Sequence, residues 1–235
     1  MLDKLLQDVS RLKDPDKARS LSRFFKTGEG EYGQGDIFYG LTVPQSRVIA
    51  HTYKDLLLQD IKKLLSSKVH EERLIALLIL VGKFRKADAE EKKEIFNFYL
   101  SNTHAVNNWD LVDLTAPKIV GEFLRDKNKS ILVKLAHSKN LWERRIAILA
   151  TFQFICLDKN FKDTFKIAEL LLDDRHDLIQ KAVGWMLREA GKRVSEKEER
   201  QFLDKHYKKM GRTALRYSIE RFEKDLRLKY LHKEV

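Results

Sequence analysis

The sequence predicts an all-α protein, a solenoid of stacked helix pairs with a concave basic groove. Three observations lead there. Almost every segment carries apolar residues at i, i+3, i+4 and i+7, the period of an amphipathic helix. Glycine and proline are scarce, 10 and 3 among 235 residues, whereas an all-β sandwich or barrel consumes many turns. A five-residue block also recurs: Arg73-Leu-Ile-Ala-Leu77, Trp109-Asp-Leu-Val-Asp113, Arg145-Ile-Ala-Ile-Leu149, Lys181-Ala-Val-Gly-Trp185 and Arg216-Tyr-Ser-Ile-Glu220. The first residues of these blocks stand 36, 36, 36 and 35 positions apart. A helix pair repeating at such a period, each stacked on the last, is the mark of an α-solenoid. No linker or shift in composition interrupts the chain, so residues 1–235 are expected to form one domain.

The elements follow in order. Leu2, Leu5, Leu6 and Val9 form one face of a first helix. Asp14-Pro15 opens a second, with proline suited to the first turn. Residues 26–42 hold five of the ten glycines and are expected to be a flexible surface loop. Gly28-Glu-Gly-Glu-Tyr-Gly33 within it matches GxGxxG, but a dinucleotide site needs a strand before the motif and a helix directly after it. Here a helix precedes, so the match is rejected. Pro44 opens a helix towards Tyr53, and further helices are expected over 57–67, 69–85, 88–101, 107–124, 129–138, 141–155, 161–173, 176–192, 195–209 and 211–231. Pro117 should kink or end the helix after Asp113. No segment reads as a strand.

Composition narrows the function. With 43% hydrophobic residues the chain can fill a core, which excludes wholesale disorder. Lys plus Arg number 46 against 35 Asp plus Glu, a net +11 that points to a polyanionic partner. Residues 188–235 hold 15 of these cations and 9 acidic residues, +6 of the excess. They form either a solvated helix face or extra phosphate contacts. The one cysteine, Cys156, excludes a disulfide framework and a cysteine zinc cage, and fits a buried apolar position in a reducing compartment. None of the seven histidines stands three or four residues from another, so no metal site is expected. The N-terminus lacks the pattern of a signal peptide, and the longest apolar run, Leu74 to Gly82, is nine residues where a bilayer span needs roughly 20. A soluble, cytoplasmic protein without a membrane partner is expected.

The repeat register also sorts residues by role. The first and fifth block positions are i and i+4, on one helix face. The first reads Arg73, Trp109, Arg145, Lys181, Arg216; the fifth reads Leu77, Asp113, Leu149, Trp185, Glu220. An aspartate in a register that elsewhere holds leucine is expensive unless paired or functional. Trp109, Asp113, Arg145 and Trp185 are therefore candidates to converge on one stretch of the groove. Cations there would hold phosphates, and indole faces would attract a cationic or sugar-like group. A carboxylate would stabilise developing positive charge or orient a water. Those parts suit cleavage of an N-glycosidic bond in a nucleic acid. On spacing alone the alternative stays open that both tryptophans are core and Asp113 pairs with a buried arginine or caps a helix.

The same residues carry a family resemblance. Trp109-Asp-Leu-Val-Asp113, Leu141-Trp-Glu-Arg-Arg-Ile-Ala-Ile-Leu149, Ile179-Gln-Lys-Ala-Val-Gly-Trp-Met-Leu-Arg-Glu189 and Phe38-Tyr-Gly-Leu-Thr-Val-Pro44 resemble the AlkD family of bacterial DNA alkylation repair glycosylases, built from HEAT-like repeats. The likeness covers nearly the whole chain. It implies excision of positively charged N3- and N7-alkylpurines from duplex DNA, without a metal or other cofactor and without flipping the base into a pocket, in contrast to most such enzymes. It implies Asp113 as the catalytic carboxylate, Trp109 and Trp185 packed on the lesion's deoxyribose, and Arg145 contacting backbone phosphate and supporting the site. One departure stands out: Phe24 occupies the place of a family tyrosine that reaches the lesion, keeping the ring but losing the hydroxyl. With Phe24, the cations Arg73, Arg145, Lys181, Arg188 and Arg216 complete the expected DNA-binding set, in a protein expected to act as a monomer. The competing reading is a non-catalytic HEAT-repeat protein that binds DNA or another protein. Asp113 argues against it, because a carboxylate in a pure phosphate-binding groove repels its ligand.

Overall fold

The computed structural model describes residues 1–235. It is helical, with no sheet; a lone parallel bridge joins Ile37 to Val69. No helix is long and apolar enough to cross a membrane. The chain forms two compact units, residues 1–115 and 116–235.

The first unit holds α1 (Leu2–Arg11), α2 (Pro15–Phe24), α3 (Val43–Thr52), α4 (Leu58–Leu65), α5 (His70–Lys86), α6 (Ala89–Ser101) and α7 (Trp109–Ala116). At its centre α5 buries the whole run from Leu74 to Val81, and α3, α4 and α6 pack around it. A helix apolar on all sides must be covered on all sides, and this one is. Helix starts follow their sequence signals. Asp14 accepts from the backbone N–H groups of Asp16 and Lys17 ahead of Pro15, and Thr42 with Gln45 and Asp88 with Glu91 form reciprocal capping boxes. Each cap is worth about 1 kcal/mol.

The second unit opens on a π-helical turn, Pro117–Gly121, and continues through α8 (Glu122–Leu124), α9 (Ser130–Ala136), α10 (Leu141–Ala150), α11 (Phe152–Leu157), α12 (Lys162–Leu170), α13 (Asp177–Arg193), α14 (Glu196–His206), α15 (Arg212–Ser218) and α16 (Lys224–His232). Its centre is α13, against which α10, α11, α12, α14 and α15 pack, while α9 packs on α10. Consecutive helix pairs thus rest on one another through α10, α13 and α15. Gly184 lets α15 come close to α13. A Cβ there would collide with the Ala214 carbonyl oxygen of α15 and stand 2.5 Å from the Tyr217 Cβ.

Two expectations are corrected. Residues 141–155 form two helices divided at Thr151, whose hydroxyl donates back to the Ile148 carbonyl at 2.7 Å. Residues 211–231 are not one helix either: a 3-10 turn over Ile219–Arg221 ends at Phe222, which turns extended (φ −71°, ψ 155°) and buries its ring 5.8 Å from that of Tyr230. At Pro117 the regular α-helix α7 stops, as expected. The proline has no N–H to give the Asp113 carbonyl, and the chain widens into the π turn and stays helical.

The glycine-rich segment is not a free loop throughout. Its second half is fastened to α5. The Ile37 N–H donates to the Lys68 carbonyl and the His70 N–H to the Ile37 carbonyl, both at 2.9 Å. The buried Glu71 carboxylate accepts from the backbone N–H groups of Tyr39 (3.1 Å), Gly40 (2.8 Å) and Leu41 (3.1 Å). Gly40 is required there: its φ is +91° and a Cβ would strike the Asp14 carbonyl oxygen.

Candidate functional site

In the first unit the site is built on α7. Asn108, fully buried, accepts the Trp109 N–H at 2.8 Å and its carbonyl takes the first helical bond from the Val112 N–H. Trp109 and Asp113 then lie one turn apart on the same face, both half-buried, while Leu111 and Val112 between them face the core. Behind Asp113, Tyr99 is fully buried and shares a 3.0 Å hydrogen bond with the Thr115 hydroxyl. Burial pushes its phenol far up and the Asp113 charge pushes it further, so this tyrosine stays neutral beside the carboxylate.

Rings gather under Trp109. Its indole stacks on Phe25 (5.1 Å between centroids, 21° between planes) and meets the edge of Phe24 (5.8 Å, 74°). Phe25 stacks in turn on Phe38 at 5.1 Å, and Phe38 on the His70 imidazole at 4.6 Å. His70 is held between two carboxylates, Nε2 at 2.9 Å from Asp110 Oδ2 and Nδ1 at 3.5 Å from Asp36 Oδ2. Arg73 completes the cluster, its guanidinium 2.7 Å from Asp36 Oδ2 and donating to the Ser67 carbonyl at 2.8 Å. Asn107 donates to Asp36 Oδ1 at 3.2 Å. Burial opposes a charge on His70, but the facing Asp110 and the bond to Asp36 outweigh it and raise its pKa to about 9. Two anions and two cations therefore balance inside the unit. A local signal for this cluster lies in the sequence. His70, Glu71, Glu72 and Arg73 open α5 as four consecutive polar residues, yet all four are buried.

In the second unit α13 carries Lys181 and Trp185 one turn apart on one face. Trp185 is half-buried, 6.1 Å from the Phe152 ring, and Lys181 is ion-paired with Asp177 at 2.6 Å. Arg145 of α10 is 5% exposed and donates to the Leu178 carbonyl at the start of α13. Arg188 is ion-paired with Glu220 and lies 3.6 Å from Glu189.

The expected site residues are distributed over both units. Trp109 and Asp113 stand together, as do Lys181 and Trp185. Arg216 is exposed on α15, and Phe24, 64% exposed, offers its ring to solvent beside Trp109. Arg73 is corrected: at 3% exposure and paired with Asp36, it is an internal counter-ion and not a phosphate ligand. Arg145 is likewise buried, tying α10 to the start of α13. Trp142 of α10 is buried.

A model of the family described as DNA alkylation repair enzyme matches residues 5–222. The chain belongs to that family. Repair of alkylated DNA is therefore its context, and DNA the partner the family implies. Among solved structures, a predicted DNA alkylation repair enzyme from Enterococcus faecalis has the same fold, with a TM-score of 0.69 over 90% of this chain and 97% of that one. At 18% identity that likeness concerns the fold alone. No curated protein matches the chain.

Proposed function

We propose that this family member is a DNA glycosylase that excises positively charged N3- and N7-alkylpurines from duplex DNA, acting as a monomer through one HEAT-like solenoid groove. The observation that carries it is the pairing of Trp109 and Asp113 on one face of α7 (an aromatic platform one turn from a carboxylate), within a family of alkylation repair enzymes. Trp185 and Lys181 repeat the aromatic-and-charge pattern on α13, with a cation in place of the carboxylate.

The chemistry needs little acid catalysis. An N-alkylated purine is already cationic, so the N-glycosidic bond breaks with its electron pair going to the base, which leaves neutral. Positive charge moves to the deoxyribose, where Asp113 stabilises it most in the transition state. The indoles of Trp109 and Trp185 flank the sugar and favour its cationic form. Water then bonds to the sugar carbon and gives its proton to Asp113 or solvent. Lys181, Arg216 and Arg188 hold phosphates, and Arg145 supports the site from within.

Incubation with duplex DNA carrying N7-methylguanine, followed by detection of abasic sites, tests the proposal. Release above the spontaneous rate is expected. Asp113→Asn should slow single-turnover release by about 10²–10³ while DNA binding persists, and Trp109→Ala and Trp185→Ala should slow it less. Release no faster than spontaneous depurination by the wild type, with DNA still bound, would indicate a non-catalytic DNA-binding protein. Wild-type speed in Asp113→Asn would make that carboxylate structural.

A further inference from the structure

We propose that His70, through Phe25 and Asp110, is the positioning residue for Trp109. The catalytic consequence rests on the glycosylase function proposed above; the structural link does not.

His70 grips Trp109 by two independent routes. Through the backbone, its Nε2 holds Asp110, the residue that follows Trp109 in α7, at 2.9 Å. Through the rings, its imidazole lies 4.6 Å from Phe38 and 5.0 Å from Phe25, and Phe25 carries the indole on its other contacts at 5.1 Å. The start of the helix and the plane of the indole are thus referenced to one side chain. A cation over aromatic faces strengthens the column. The charged groups facing His70 are Asp36 from the glycine-rich segment, Asp110 from α7 and Arg73 from its own helix; the Glu71 carboxylate, also on α5, is turned to the backbone of residues 39–41.

Four buried charges are a poor way to gain stability, since an apolar cluster of equal volume commonly does as well. They are a good way to fix geometry, because each bond specifies a direction. The cluster balances only while the imidazole is protonated. Loss of that proton leaves Asp36 and Asp110 facing a single cation, Arg73, and loosens the hold on α7. Asp110 is therefore not a second catalytic acid: its carboxylate is turned inward to His70, while Asp113, one turn from Trp109, remains half-buried.

The experiment follows the fluorescence of Trp109 in the otherwise full-length Trp142→Phe/Trp185→Phe protein from pH 6.5 to 10. One transition with a midpoint near 9 is expected, and it should vanish in the same protein carrying His70→Gln. Phe25→Leu, which leaves all four charges in place, should uncouple the fluorescence from the titration and so serves if His70→Gln does not fold. In the tryptophan-complete protein at pH 7.5, His70→Gln should slow single-turnover excision about tenfold with DNA affinity unchanged within twofold. No transition in the His70 protein, or an unaltered one in both variants, overturns the positioning role. Equal loss of binding and excision would also overturn it, by marking His70 as merely structural. Absence of excision in the wild type would sink the glycosylase function instead, leaving the fluorescence result to stand by itself.

Discussion

Replacing Glu71 tests how the glycine-rich segment is held. The buried carboxylate takes three consecutive backbone N–H groups, with Oε1 accepting from Tyr39, Gly40 and Leu41 and Oε2 reached only by Tyr39, at 3.1 Å. In Glu71→Ala the buried Gly40 and Leu41 donors lose their partner, at about 1–3 kcal/mol each. Tyr39 is half-buried and can turn to water, so the total should be about 2–6 kcal/mol. Glu71→Gln keeps its amide oxygen on the side of all three donors and places its NH2 where only the shared Tyr39 contact is lost. It forfeits mainly the charge, about 1–2 kcal/mol. Urea unfolding of both variants measures the two losses. Amide exchange at Gly40 and Leu41 should quicken in the alanine variant before the rest of the unit. An alanine variant within 1 kcal/mol of wild type, or equal losses for both substitutions, would refute the idea that these bonds hold the segment.

Other outcomes follow from the same structure. Arg216→Ala should lower the slope of log affinity against log salt by about one unit, whereas Arg73→Ala should leave the slope unchanged and cost about 3–5 kcal/mol in urea unfolding by stranding buried Asp36. Phe24→Tyr should tighten binding to lesion-bearing duplex by up to about tenfold in a titration, from one added hydrogen bond, with unaltered stability because the ring is 64% exposed. Glu199, buried on α14, has its carboxyl pushed up to about 8 by burial and then by the Glu196 charge. The folded protein therefore binds a proton there that the unfolded chain gives up near 4.5, and stability falls as pH rises between those values. Glu199→Gln should remove that fall, as seen in melting temperatures from pH 4.5 to 8.5. His70 has the same sign in a higher window, so the Glu199→Gln protein keeps only the decline that His70 causes. Its charge contributes fully below about 6.5, and that contribution is lost as pH rises through about 9.

How much of this could be read from sequence depends on which interactions are local. The repeat spacing places Arg145, Lys181 and Arg216 as the fifth residues of α10, α13 and α15, so in the second unit the register is a real structural equivalence. Capping and helix starts were equally legible, since Asp14-Pro15 and Thr42 with Pro44 act within one turn. The register failed at Arg73. It is the fourth residue of α5, and its charge is turned inward to an aspartate 37 positions earlier in the chain. The same distance hid the fate of the glycine-rich segment. Glycines report permissive backbone, but what captures residues 36–41 is a carboxylate and a histidine some thirty positions on, and no periodicity links the two. A basic residue at a repeat position reads as a groove cation because most such residues are solvated. What marked the exception was local after all: His70-Glu-Glu-Arg73 lies directly against an apolar run that is buried on every side, so the polar residues that begin that helix enter the core with it and must find their counter-charges there.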